Sequence, residues 1–193
     1  MSKLELAPLS PTEAGELFSS FTRPWWIAGG WALDLFLGAE TRAHEDIEIA
    51  LLREDQLAVR DHLRDWDLRY ALKGELHEWP AGELLEPPVH GIWARPRGST
   101  AWTLELLLNE RGDDRWVYRR DPRVTLPLRD AGVVSPSGLP VFAPEIVLLY
   151  KSRDARDKDD ADFRAVLPRL GASQRAWLAA ALDPSHAWRA DLT

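Results

Sequence analysis

Ile27-Ala28-Gly29-Gly30-Trp31 and, sixteen residues after Gly30, Asp46-Ile47-Glu48-Ile49 decide the reading of this chain. In the second string two carboxylates alternate with apolar residues. A strand sends residues i and i+2 to one face, about 6.6 Å apart. Asp46 and Glu48 therefore point together, while Ile47 and Ile49 point into a core. A pair of acids on a strand rim suits a hard divalent cation. Mg²⁺ in particular takes one or two carboxylates and completes its shell with substrate phosphates. Trp25 to Ala28 reads as an apolar strand and Ala32 to Leu37 as a helix, with Gly29-Gly30 as the turn between them. Glycine permits close approach of a phosphate to the backbone, and a helix start offers free N–H groups to it.

The remaining pattern is mixed α and β. Ser10-Pro11-Thr12-Glu13 predicts a helix start by capping, running to about Ser20. Gly38 predicts the stop of the second helix. Thr41 to Glu45 reads as a polar loop, Asp46 to Leu52 as the second strand, and Glu54 to Leu63 as a helix. Asp67 to Leu72 and Gly91 to Ala94 read as strands around a loop punctuated by Pro80 and Pro87-Pro88. Trp102 to Leu108 is a strand whose only charge is Glu105, with Trp102, Leu104 and Leu106 on the opposite face. Trp116 to Arg119 and Val124 to Leu126 form a further pair. Helices follow at Pro144 to Lys151, Lys158 to Leu167 and Ser173 to Leu182. The expected fold is α/β (α+β): a small mixed twisted sheet flanked by helices. The expected division is a catalytic part at residues 1–135 and a helical C-terminal region at 136–193.

Order and spacing together resemble the nucleotidyltransferase superfamily, whose pattern is a hydrophobic residue before Gly-Gly, then Asp-x-Asp or Asp-x-Glu on a strand. The strings Ile27 to Gly38 and Thr41 to Ile49, with Ala143 to Lys151 and Lys158 to Phe163, look more specifically like the aminoglycoside-2''-adenylyltransferase-like group. Lincosamide nucleotidyltransferases open similarly. The resemblance implies transfer of a nucleoside monophosphate from ATP or another NTP, with Mg²⁺ in a two-metal site. It requires a third carboxylate, and Glu105 is the candidate, as metal ligand or as base. The alternative is an edge-strand glutamate facing solvent. The resemblance also makes Lys151 a phosphate contact, against the plain reading of a helix-end cation. Arg42 either holds a phosphate or pairs with Asp34. Gly29 and Gly30 hug the triphosphate. His44 reads as a hydrogen-bond partner to a carboxylate, since no second histidine joins it. Arg156 to Asp160 reads as a solvated face, with Asp159 and Asp162 as orienting partners.

The 193 residues suffice for one good core. There is no cysteine, which excludes disulfides and thiolate metal sites. No apolar run reaches membrane length, so the expected location is cytoplasmic with no membrane partner. The net charge of −7 argues against nucleic acid and for a small neutral or cationic hydroxyl acceptor, aminoglycosides being the first to try. Glu75, Glu78, Glu83 and Glu86 could rim its site. The ten tryptophans read mainly as core anchors, one or two of them free to line a cleft. Three other readings stay open: a toxin-like enzyme acting on RNA or protein, an inert binding module of the same fold, and a metal hydrolase.

Overall fold

The computed structural model describes residues 4–193. Its strands are β1 (Trp25–Ile27), β2 (Glu48–Leu52), β3 (Trp66–Leu72), β4 (Glu75–Glu78), β5 (Gly91–Pro96), β6 (Leu104–Gly112), β7 (Arg115–Val117), β8 (Thr125–Pro127), β9 (Gly132–Val134) and β10 (Pro140–Phe142). They join in one sheet in the order β4-β3-β5-β6-β2-β1-β10-β9, and β7 links the far end of β6 to β8. The β2–β6 and β1–β10 pairs are parallel and their neighbours antiparallel. The helices are α1 (Pro11–Phe18), α2 (Gly29–Leu37), α3 (Gln56–His62), α4 (Pro144–Ser152), α5 (Asp157–Val166), α6 (Ala172–Ala181) and α7 (Arg189–Leu192).

Alternation along the strands builds the core. Ile27, Ile49, Leu51, Ile92, Ala94 and Leu106 are fully buried on one face. There Phe18 of α1 meets Trp25 with ring centroids 5.1 Å apart and His62 of α3 at 5.5 Å. On the other face Trp26 stacks on Phe142 at 5.5 Å, next to the start of α4. Helices α2, α4, α5 and α6 pack on one another at that end of the sheet. On β5, Gly91, Ile92 and Ala94 are buried, whereas Trp93 and Arg95 are half-buried. No helix among the described residues is long and apolar enough to cross a membrane.

Several expectations shift. Gly29 and Gly30 are not a turn before α2 but its first residues. Strand β2 begins at Glu48, so Asp46 and Ile47 lie just ahead of it. The carbonyl of Ile47 still accepts the Glu105 N–H at 3.0 Å, which keeps the extended alternation running through Asp46. Strands β4, β9 and β10 and the short α7 were not expected. Strand β10 follows residue 135 and pairs with β1, so the C-terminal part contributes to the sheet as well as to the helices.

Candidate active site

Glu48 and Glu105 are cross-strand partners on β2 and β6. Partners directly opposite share a face, about 4.8 Å apart. Asp46, two residues ahead of Glu48, lies close enough to both to raise their proton affinity. Neither glutamate has a cation within ion-pair distance among the described residues. Glu48 is pushed up to about 7, first by burial and then by Asp46, against a partial pull from Lys151 and Lys158. Glu105 is pushed up to about 8 by burial, then by Glu48 and Asp46. Uncompensated like charges in a low-dielectric setting raise each other in this way.

The two side chains also lean apart, and two glycines make the room. A Cβ on Gly29 would lie 1.7 Å from Glu48 Oε2, and one on Gly91 would lie 2.4 Å from Glu105 Oε1. Glu48 thus leans over the start of α2 and Glu105 over β5. Gly29 has a φ of +61°, which adds a backbone reason for glycine. Among the described residues no three acids or histidines are already gathered as a metal cage. The donor set nonetheless fits a divalent cation. Three half-buried carboxylates with no cationic partner among the described residues leave a negative charge that an ion or a proton relieves.

Beside Glu48, α2 begins at Ala28 in extended conformation with no side-chain cap. Its first N–H groups, on Gly29, Gly30 and Trp31, have no helical partners. Of these residues Gly29 lines a cavity of about 510 Å³, together with Ala28, Glu48, His90, Arg119, Arg120, Phe142, Tyr150, Lys151, Arg153 and Arg156. Arg119 and Arg120 are exposed and each lies 5.6 Å from the Tyr150 ring centre. Burial pushes the Tyr150 hydroxyl up to about 12, so it remains a donor. His90 is held down at about 4, by burial first and then by Arg119 and Arg53, and its ring is neutral at pH 7.

Arg42 pairs with Asp162 rather than Asp34: Nε donates to Oδ1 at 2.9 Å and Nη2 to Oδ2 at 3.0 Å. Lys151 Nζ sits 2.9 Å from both Asp159 and Asp162. Asp159, within the stretch expected as a solvated face, and Asp162, both expected as orienting partners, are buried and held below the usual carboxylate range by Arg156, Arg42 and Lys151. His44 Nε2 meets Asp34 at 2.6 Å, and Asp34 also accepts from Thr41. His44 therefore serves Asp34 and not Asp46. A Cβ on Gly30 would come within 2.5 Å of both Arg42 and His44. Lys151 reaches the cavity, while Arg42 braces the loop before Asp46. Gly91, Tyr150, Arg119 and Arg120 were not singled out from sequence. The adjacent arginines after β7 were the one available signal.

The family described as aminoglycoside-2''-adenylyltransferase matches residues 12–76, which hold Gly29, Gly30, Arg42, Asp46 and Glu48 but end before Glu105. No curated protein matches the chain significantly. The lincosamide antibiotic adenylyltransferase LnuA, solved with lincomycin bound, aligns at TM-score 0.56 and 18% identity, over 84% of this chain and 97% of its own. ANT(2")-Ia in complex with adenylyl-2"-tobramycin aligns at TM-score 0.59 and 19% identity, over 89% of this chain and 95% of its own. Identity this low speaks to the fold. The family match is confined to residues 12–76, and the two structures show that this chain shares their fold.

Proposed function

We infer that this chain transfers a nucleoside monophosphate, AMP from ATP, to a hydroxyl of a small acceptor and releases pyrophosphate. The observation that carries the reading is the unpaired Glu48–Glu105 couple set between an uncapped helix start and a cavity rimmed by Arg119, Arg120 and Lys151. Asp46 and Glu48 are the residues that would hold Mg²⁺, with Glu105 beside them. A divalent ion there neutralises phosphate oxygens and lowers the cost of charge developing on the leaving group. The α2 N–H groups and the arginines bind and orient the triphosphate. The acceptor oxygen bonds to the α-phosphorus as the bond to the bridging oxygen of pyrophosphate breaks. That oxygen keeps the electron pair. The acceptor proton goes to Glu105, whose lean away from Glu48 and raised proton affinity suit a base better than a second ligand.

Both similar structures contain antibiotics, lincomycin in one and adenylylated tobramycin in the other. Hydroxylated antibiotics of these kinds are therefore the first acceptors to test. The same cationic rim supports a second reading, transfer to an RNA end. Titration with ATP and other NTPs, with and without Mg²⁺, followed by acceptor screening on pyrophosphate release, tests both. Labelled RNA without turnover of any small hydroxyl compound would promote the second reading. Nucleotide binding that ignores Mg²⁺ and the Asp46→Asn change would count against the metal assignment.

A further inference from the structure

Three neutral polar side chains line the cavity beside Glu48: Asn109, Tyr150 and His90. Asn109 is engaged within the protein. Its Oδ1 accepts the Trp116 indole N–H at 3.1 Å, and its Nδ2 donates to the Leu107 carbonyl at 3.0 Å. Tyr150 has Arg119 and Arg120 against its ring. His90 differs from both. Its Nδ1 meets Arg53 Nη2 at 3.0 Å. A guanidinium only donates, so Nδ1 accepts and the ring proton is on Nε2. Arg53 is itself held fast. It is buried, its Nε and Nη2 donate to Glu110 at 2.9 and 2.7 Å, and its Nη1 donates to the Leu85 carbonyl at 2.8 Å. The His90 Nε2–H is thus a donor of fixed tautomer, with no acceptor among the described residues. Burial first, then Arg119, Arg53 and Arg120, oppose a second proton on the ring, and Glu110 alone pulls the other way.

His90 stands apart from the carboxylates. Its carbonyl accepts the Leu108 N–H at 2.8 Å, and Leu108 pairs with Leu51, three residues on from Glu48. Three residues of strand span about 10 Å. Leu107, half-buried, lines the cavity over that interval. An α-phosphate at the carboxylates puts the ribose across the interval and the base at its far end. We propose that His90 reads the nucleobase, its Nε2–H donating to a ring nitrogen of adenine. This rests on the nucleotidyl-transfer reading for the place of the α-phosphate. A fixed donor turns away an exocyclic amine and takes only an acceptor, and the acceptors of adenine are its ring nitrogens. The cavity also holds five cationic side chains against three acids, Glu48, Asp154 and Asp159, so the phosphates have partners without a neutral imidazole.

The test is isothermal titration of the full chain, with Mg²⁺, against ATP, its 1-deaza, 3-deaza and 7-deaza analogues, and inorganic tripolyphosphate. A carbon in place of the acceptor nitrogen deletes one hydrogen bond and preserves the shape of the base. One of the three analogues should bind the wild type about tenfold more weakly than ATP. Two variants are compared. His90→Ala removes the ring. His90→Asn keeps an oxygen near the Nδ1 position for Arg53 and leaves nothing at Nε2, so it preserves the fold where His90→Ala does not. In either, ATP should fall to the affinity of the weak analogue, while that analogue and tripolyphosphate bind as to the wild type. Equal affinity of ATP and all three analogues in the wild type overturns the proposal, and so does a penalty that survives both substitutions. A loss of tripolyphosphate affinity as large as that of ATP also overturns it, by making His90 a phosphate contact. Binding of neither ATP nor tripolyphosphate removes this proposal and the transfer reading together. A His90-dependent preference for ATP, without pyrophosphate release on any acceptor, supports base reading and refutes the transfer reaction.

Discussion

Gly29 and Glu48 compete for one volume, and that competition links local backbone to chemistry. Gly29→Ala places a methyl where Glu48 Oε2 now sits and imposes a φ of +61° on an L-residue. The expected cost is about 1–3 kcal/mol for the backbone alone. The carboxylate must also swing away from α2, so Mg-ATP affinity should fall as well as the melting temperature. A calorimetric binding isotherm beside a thermal melt separates the two effects. Gly30 differs in kind, because its need for glycine is space beneath Arg42 and His44 rather than positive φ. Glu105 supplies the pH argument at this scale. Its proton affinity in the fold, about 8, lies above the ordinary 4.5 of the unfolded chain. The folded state therefore holds a proton the unfolded state has lost, and this stabilising contribution fades as pH rises from about 4.5 through 8. Glu105→Gln should flatten the decline in metal-free melting temperature over that range, while abolishing turnover. An unchanged pH profile would show that Glu105 titrates in its ordinary range.

At the scale of elements, α5 is what holds the loop before Asp46 and the end of α4 together. Asp162 receives Arg42 from the loop and Lys151 from α4, and Asp159 shares Lys151. Asp162→Asn leaves two largely buried cations short of a counter-charge, which should cost about 3 kcal/mol. Chemical denaturation would read this directly. The pH sign is opposite to that of Glu105. Asp159 and Asp162 are held low in the fold, so their contribution is full above the ordinary carboxylate range and is lost in acid below it. Legibility from sequence also divides by element. The strands β2, β3, β5 and β6 were readable because alternation runs over enough residues to show its period. Strands β9 and β10 are three residues each, too short for any period, and the parallel β10–β1 pairing is a tertiary choice. Asp46, Glu48 and Glu105 stood out as acids in apolar surroundings. Arg119, Arg120 and Tyr150 did not, because they meet only when β7 and α4 fold onto one cavity. Asp159 and Asp162 were named only as orienting partners, because local composition does not reveal that Arg42 reaches Asp162 from 120 residues away.

For the whole molecule, net charge and local charge have opposite signs. The chain carries −7, yet Arg119, Arg120, Lys151, Arg153 and Arg156 converge on one cavity. Of the three acids within it, Asp154 and Asp159 are already engaged, with Arg153 and with Lys151 and Arg156, and Glu48 stands unpaired on the side of the carboxylate cluster. Global repulsion of a polyphosphate is screened over ~10 Å at 0.1 M salt and ~3 Å at 1 M, whereas contact pairing in the cavity survives at shorter range. Arg119 and Arg120 are exposed and have no carboxylate partner among the described residues, so their pairing capacity is open to phosphate. The double change Arg119→Ala with Arg120→Ala should weaken Mg-ATP by about tenfold or more, since each charge-assisted contact contributes roughly 1.5–3 kcal/mol before screening. It should also flatten the dependence of nucleotide affinity on salt. Titrations of Mg-ATP at rising salt, in wild type and double variant, give the slope. A slope unchanged by the substitutions would place the triphosphate elsewhere than in this cavity.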